Sequence, residues 1–143
     1  MNFIEVNGGN KVQREICHKV AAHMIKKLLP RFRTLDITVN LVNIKSDAIG
    51  FCMMEDNNRT FEIELDKKIG IKDLVQALCH EMVHVKQNVR RELTERGLRH
   101  YWYGKLHTDR RNEPWELEAW KLQKKLANSF IRQETKWLVK DIK

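Results

Sequence analysis

The chain has 143 residues, enough for one domain with a core of its own, and its 42% hydrophobic and 32% charged content is that of a globular protein, which excludes a disordered chain. A formal net charge of +8 favours acidic partners, nucleic acid among them. The cysteines Cys17, Cys52 and Cys79 are odd in number and none lies in a CxxC pair, which argues against a disulfide framework or a thiolate metal site and for a reducing compartment.

In chain order, the N-terminal MNFIEVNGGNKV has no basic region followed by an apolar one, so no secretory leader is expected there. Residues 10–29 are predicted helical: Val12, Ile16, Val20, Met24 and Leu28 recur every four residues until Pro30 stops the pattern. Leu35, Ile37, Val39 and Leu41 then alternate with polar residues, as in a half-buried strand. A second apolar run, AIGFCMM, is followed by the turn residues EDNNRT, and FEIELD resumes strict alternation at Phe61, Ile63 and Leu65. The expectation over 35–66 is a three-stranded meander.

The helical period returns from Ile71 to about Leu93. Residues 105–112 are polar and irregular, predicting a loop. A last helix is predicted from Pro114, a good first-turn residue, with Trp115, Ala119, Leu122, Leu126 and Phe130 as its apolar stripe. The whole is an α+β arrangement: an N-terminal helix, a three-stranded sheet, a second helix, a loop and a C-terminal helix, as one domain over 1–143. No apolar run is long enough to span a membrane.

The second helix carries H-E-M-V-H at 80–84. At about 100° per residue, with Ile71 at zero, Leu74, Leu78, Met82, Val85 and Val89 form one stripe, whereas His80 and His84 fall near 180° and 220°. The two histidines therefore share a face away from the core, four residues apart, at a spacing that brings both rings to one metal ion. Glu81 points beside that position, where a base would stand. A catalytic zinc needs a third protein ligand and an open place for water. The residues left open for that role are His100, His107, Asp109, Glu113, Glu116 and Glu118. His18 and His23, five apart on the first helix, share no face and are expected to be surface or packing residues.

HEMVHVKQ, followed about 30 residues later by NEPWELEAW, resembles the gluzincin pattern of zinc metallopeptidases, in particular small zinc peptidase-like proteins of bacteriophages and bacteria related in layout to SprT-like domains. The resemblance covers roughly residues 35–130. It implies a minimal zincin in which the C-terminal helix carries the third ligand: His80, His84 and Glu116 hold Zn2+ and Glu81 is the general base. Where many gluzincins place Asp or Asn four residues after the ligand glutamate, to orient a zinc histidine, this chain has Trp120, so that partner is another group or is absent. SprT-like proteins use a third histidine, which makes His100 or His107 the rival to Glu116. Tyr101, Tyr103, His100 and His107 are candidates for stabilising the oxyanion.

The resemblance implies a protein or peptide partner, lying extended along either FEIELD or AIGFCMM, whichever is the sheet's edge. Eight Lys/Arg against three Asp/Glu over residues 86–111 add nucleic acid as a possible partner, with proteins bound to nucleic acid as the corresponding substrates. A non-catalytic module in which zinc only fixes the fold is the third alternative. The expected location is cytoplasmic, the host's cytoplasm if the chain is phage-encoded.

Overall fold

The computed structural model describes residues 1–142, with side chains described through Glu134. The elements are β1 (Phe3–Gly8), α1 (Lys11–Leu28), β2 (Asp36–Val42), β3 (Gly50–Met54), β4 (Thr60–Asp66), α2 (Ile71–Val89), β5 (Leu93–Arg96), β6 (Arg99–Trp102), β7 (Lys105–His107) and α3 (Pro114–Ile142). They form an α+β structure with a mixed four-stranded sheet, in the order β1-β2-β4-β3, and a small antiparallel sheet, β5-β6-β7.

The three strands expected between 35 and 66 form, but not as a meander. β2 and β4 pair in parallel, with Ile37 opposite Phe61, Val39 opposite Ile63 and Leu41 opposite Leu65. β3 lies outside them, antiparallel to β4. Burial explains the difference. Every second residue of β2 and β4 is almost fully buried, so both strands gain by having neighbours on each side, whereas β3 is largely exposed and suits an edge. Alternation along a strand reports which face is buried and is silent on pairing direction.

A fourth strand, β1, was not anticipated. It pairs in parallel with β2, so β1-α1-β2 is a βαβ unit. Its six residues bury only part of one face, through Ile4 and Val6, which leaves a weak sequence signal. α1 starts at a capping box, in which Asn10 and Gln13 exchange side-chain to backbone hydrogen bonds of 2.8 and 2.9 Å. Gly8 closes β1 with φ of +83°, and a Cβ there would lie 2.2 Å from the Leu41 carbonyl oxygen. Gly8→Ala is expected to cost about 2 kcal/mol or more, since the strained conformation and the backbone clash act together. Thermal unfolding measures it, and an unchanged Tm would contradict this account of the β1–β2 junction.

The main core joins Ile16, Val20 and Met24 of α1, the inward faces of β2 and β4, Leu74, Leu78, Met82 and Val85 of α2, and Phe130 of α3. The ends of the predicted stripes are looser. Val12 is 50% exposed and Ile71 37%, because both sit in the first turn of their helices. Cys17 and Cys79 are buried, Cys52 is half-buried, and all are free thiols, in line with the expectation. Burial pushes the Cys17 and Cys79 thiols up to about 12, so neither supplies a thiolate at neutral pH. His18 is exposed and His23 is half-buried with its ring edge-on to Phe130 at 5.6 Å.

The helix predicted to reach about Leu93 ends at Val89, β5 and β6 follow where no element was predicted, and β7 falls within the 105–112 stretch read as a loop. Strands of three or four residues are too short to show a period. Their turns fall at Gly97 and Gly104, both with positive φ. The small sheet lies against the first turn of α3: His100 stacks on Trp115 at 5.3 Å, His107 meets it edge-on at 5.1 Å and Trp102 lies 6.3 Å away. Among the described residues, no helix is long and apolar enough to cross a membrane.

Candidate metal centre

α2 turns its apolar stripe to the sheet and presents His80 and His84 on the other side, with ring centroids 4.9 Å apart. α3 packs along that side and delivers Glu116 from its first turn. Two side chains of α2 hold α3 there. Lys86 pairs with Glu118 at 3.0 Å, and the fully buried Gln87 donates from Nε2 to the Trp115 carbonyl at 2.9 Å and to Glu118 at 3.0 Å.

The result is a convergence of three donor atoms. Glu116 Oε1 lies 2.9 Å from His80 Nε2 and 3.1 Å from His84 Nε2, and the two nitrogens are 3.3 Å apart. Neighbouring ligands of a tetrahedral zinc are about 3.3 Å apart, given metal–ligand bonds near 2.0–2.1 Å. The three atoms thus approximate one face of such a tetrahedron, slightly contracted, and two imidazoles with one carboxylate form a donor set typical of catalytic zinc. His80, His84 and Glu116 can hold a metal ion, and they are the group of metal-ligating side chains that converges in this way among the described residues.

In the metal-free site these groups also shift one another's protonation. Burial works against ionisation of Glu116, but in the metal-free site hydrogen bonds from protonated His80 and His84, and their charge, hold its carboxyl down at about 2, so it is an anion at any ordinary pH. Burial pulls His84 down, but Glu116 outweighs it through a hydrogen bond and its charge, with help from Gln87 and Glu81, and the net shift is upward. Burial pushes Glu81 up. His84 and His80 pull it down and Glu116 pushes it up, which leaves it raised above an ordinary glutamate.

Glu81 takes no part in the three-atom cluster. Its carboxylate points towards β3, where a Cβ on Gly50 would stand 3.1 Å from Glu81 Oε2. A cleft of about 740 Å3 opens in front of these groups. β3 and the residues before it form one wall with Ile49, Gly50 and Phe51, and the other side carries Trp120 of α3, which is 61% exposed with its ring 6.4 Å from that of His80.

The other third-ligand candidates lie elsewhere. Glu118 is engaged with Lys86 and Gln87. His100, His107, Asp109 and Glu113 line a second depression of about 650 Å3 on the far side of Trp115, where His100 pairs with Glu95 at 2.5 Å and His107 donates to the Asp109 carbonyl. The third histidine of the SprT-like alternative is therefore not brought to His80 and His84. Tyr101 and His107 are in the small sheet and Tyr103 is in its β6–β7 turn, and none is among the residues lining the metal-side cleft.

Two contacts to the histidines were not anticipated from the sequence. Gln123 Oε1 lies 2.6 Å from His80 Nδ1, and Gln87 Oε1 lies 2.9 Å from His84 Nδ1. Each faces the outer ring nitrogen of one histidine, Gln123 that of His80 and Gln87 that of His84. Spacing offered a signal for both: Gln87 follows His84 by three residues, and Gln123 follows Glu116 by seven, two helical turns on. The closeness of Gly50 to Glu81 had no such signal, because it depends on how α2 packs on β3.

Compared with protein-family models, with curated proteins and with solved structures, the chain matches none.

Proposed function

We propose that the protein is a zinc-dependent metallopeptidase of minimal gluzincin layout, with His80, His84 and Glu116 as ligands and Glu81 as general base. The observation that carries this reading is the three-ligand convergence with an uncoordinated, buried carboxylate beside it at the mouth of a cleft. A purely structural zinc is normally closed by four protein ligands and has no use for a base, which disfavours a module that zinc only stabilises.

Bound in this site, zinc supplies Lewis acidity and lowers the pKa of water towards neutrality. Glu81 would accept the proton of the attacking water and pass it to the leaving amine. β3 is the outer strand of its sheet and runs along the cleft, so an extended peptide can add to it as a further strand with the scissile bond near Gly50 and Glu81. Trp120 and Phe51 offer apolar surface on either side of that path.

Gly50 gives the reading a specific check. A methyl group there would stand 3.0 to 3.2 Å from Leu65, Glu81 and the Glu64 carbonyl, so something must give by a few tenths of an ångström. Gly50→Ala is expected to lower peptide hydrolysis about tenfold by displacing Glu81, with zinc content unchanged. Wild-type rates in this variant would remove Gly50 from the account.

The direct test is hydrolysis of an unfolded, fluorophore-labelled protein by zinc-loaded wild type, with Glu81→Gln as the control. Equal turnover by the two would reject the mechanism.

A second reading concerns the target. Arg96, Arg99, Lys105, Arg110 and Arg111 are all exposed along the small sheet and the residues after it, beside the cleft-bearing helices. This basic surface favours substrates held on nucleic acid, as in SprT-like enzymes. Retention on DNA or RNA that falls steeply between about 50 and 200 mM salt would support it. Bacteriophage or bacterial origin, and action in the cytoplasm, belong to the same resemblance-based reading.

A further inference from the structure

We propose that Gln87 and Gln123 are positioning residues that fix which ring nitrogens of His84 and His80 face the metal, and that Gln87 also sets Glu116 in place. This rests on the reading that His80, His84 and Glu116 bind a metal.

The argument starts from what an amide can do. A glutamine oxygen accepts hydrogen bonds and cannot donate, so a histidine Nδ1 facing it must carry the hydrogen. In a neutral ring, the lone pair is then on Nε2. Both Nδ1 atoms face glutamine oxygens, at 2.6 and 2.9 Å, and both Nε2 atoms face Glu116 Oε1. The two rings are therefore set as metal donors by their outer contacts.

Which end of an amide is oxygen has to be decided by its surroundings. For Gln87 the surroundings decide. Its nitrogen lies 2.9 Å from the Trp115 carbonyl and 3.0 Å from the Glu118 carboxylate, two groups that only accept. Turned over, the amide would place oxygen against both, lose two hydrogen bonds in a fully buried position and face Nδ1–H of His84 with an N–H. Glu118 is itself held by Lys86 at 3.0 Å, and Lys86 pairs with Glu92 at 2.8 Å. Hydrogen bonds thus converge on Glu118: Lys86 donates to it directly, and His84 donates to Gln87, which donates to Glu118.

The bond to Trp115 adds a second role. Trp115 immediately precedes Glu116 and sits in the same first turn of α3, so Gln87 ties the third ligand's backbone to the helix that carries the other two. Gln123 supports His80 alone. Trp120 cannot take over from it, because an indole N–H donates and does not accept. The supporting group is therefore found one turn further along α3.

The test compares zinc affinity, by competition with a coloured chelator, for wild type, Gln123→Met, Gln123→Glu and Gln87→Met, with the visible absorption of the Co2+-loaded proteins as a readout of coordination geometry. Gln123→Met is expected to bind zinc 10–100-fold more weakly, the usual effect of removing such a partner. Gln123→Glu is expected to restore binding to within about threefold of wild type, because a carboxylate also accepts from Nδ1–H. Gln87→Met is expected to weaken binding more than Gln123→Met and to alter the Co2+ spectrum, since two ligands lose support. Wild-type affinity in Gln123→Met, or a Gln123→Glu variant as weak as Gln123→Met, would overturn the proposal. If Gln87→Met does not fold, as judged by circular dichroism, the Gln123 pair decides. Failure of wild type itself to take up zinc would instead reject the metal reading, and the proposal with it.

Discussion

Glu116→Ala is expected to lose zinc where His107→Ala keeps it. Glu116 is the only anion among the three converging donors, and its oxygen lies 2.9 and 3.1 Å from the two histidine nitrogens. Removing it leaves two neutral imidazoles on one helix, and affinity should fall by well over the 10–100-fold typical of a supporting residue. His107 sits across Trp115, bonded to the Asp109 carbonyl, and its loss should affect the packing of the small sheet and not the metal. Elemental analysis of the purified proteins after dialysis reads the difference directly. Zinc lost from His107→Ala and kept by Glu116→Ala would reverse the ligand assignment and favour the SprT-like alternative.

The second large effect separates chemistry from binding. Glu81→Gln keeps the shape of the side chain beside Gly50 and removes only its capacity to take a proton. Hydrolysis is expected to fall by about 10²–10⁴, the range for loss of a positioned general base, with zinc per chain unchanged. Stability should move the other way. Burial raises the proton affinity of Glu81, so its ionised form weakens the fold above the pH at which an exposed glutamate ionises. A neutral amide escapes that cost, and Glu81→Gln should melt at the wild-type temperature or slightly higher. A variant that loses both zinc and activity would mean that Glu81 supports the ligands, which its position outside the three-atom cluster contradicts.

How far the site could be read from the chain depends on how local its determinants are. His80, Glu81 and His84 lie within one and a half turns of one helix, and helical geometry alone places the histidines together on the side away from the core. Glu116 came from the gluzincin resemblance, since its own helix put it merely at the edge of an apolar stripe. The structure brings it to both histidines. α1, α2 and α3 were legible because each repeats its apolar spacing over many turns. β1 and the strands of the small sheet were not, being three to six residues long with little burial to report. The order of the main sheet was hidden for a different reason: Ile37, Val39 and Leu41 alternate in the same way whether their neighbour runs parallel or antiparallel. Gln87 and Gln123 were hidden because a glutamine's role depends on what its amide faces across the helix interface.

That interface has a thermodynamic consequence. The three donor atoms come from two helices separated in sequence by the whole of the small sheet, so an ion bound to all three is a cross-link closing a loop of some thirty residues. Cross-link and fold then draw on the same free energy: an ion that binds only the assembled helices stabilises them by about 4 kcal/mol at a thousandfold excess over its Kd. If the site takes up an ion as proposed, the docking of α3 on α2 becomes a function of that ion's concentration, and the bound ion also reports whether the chain has closed around it.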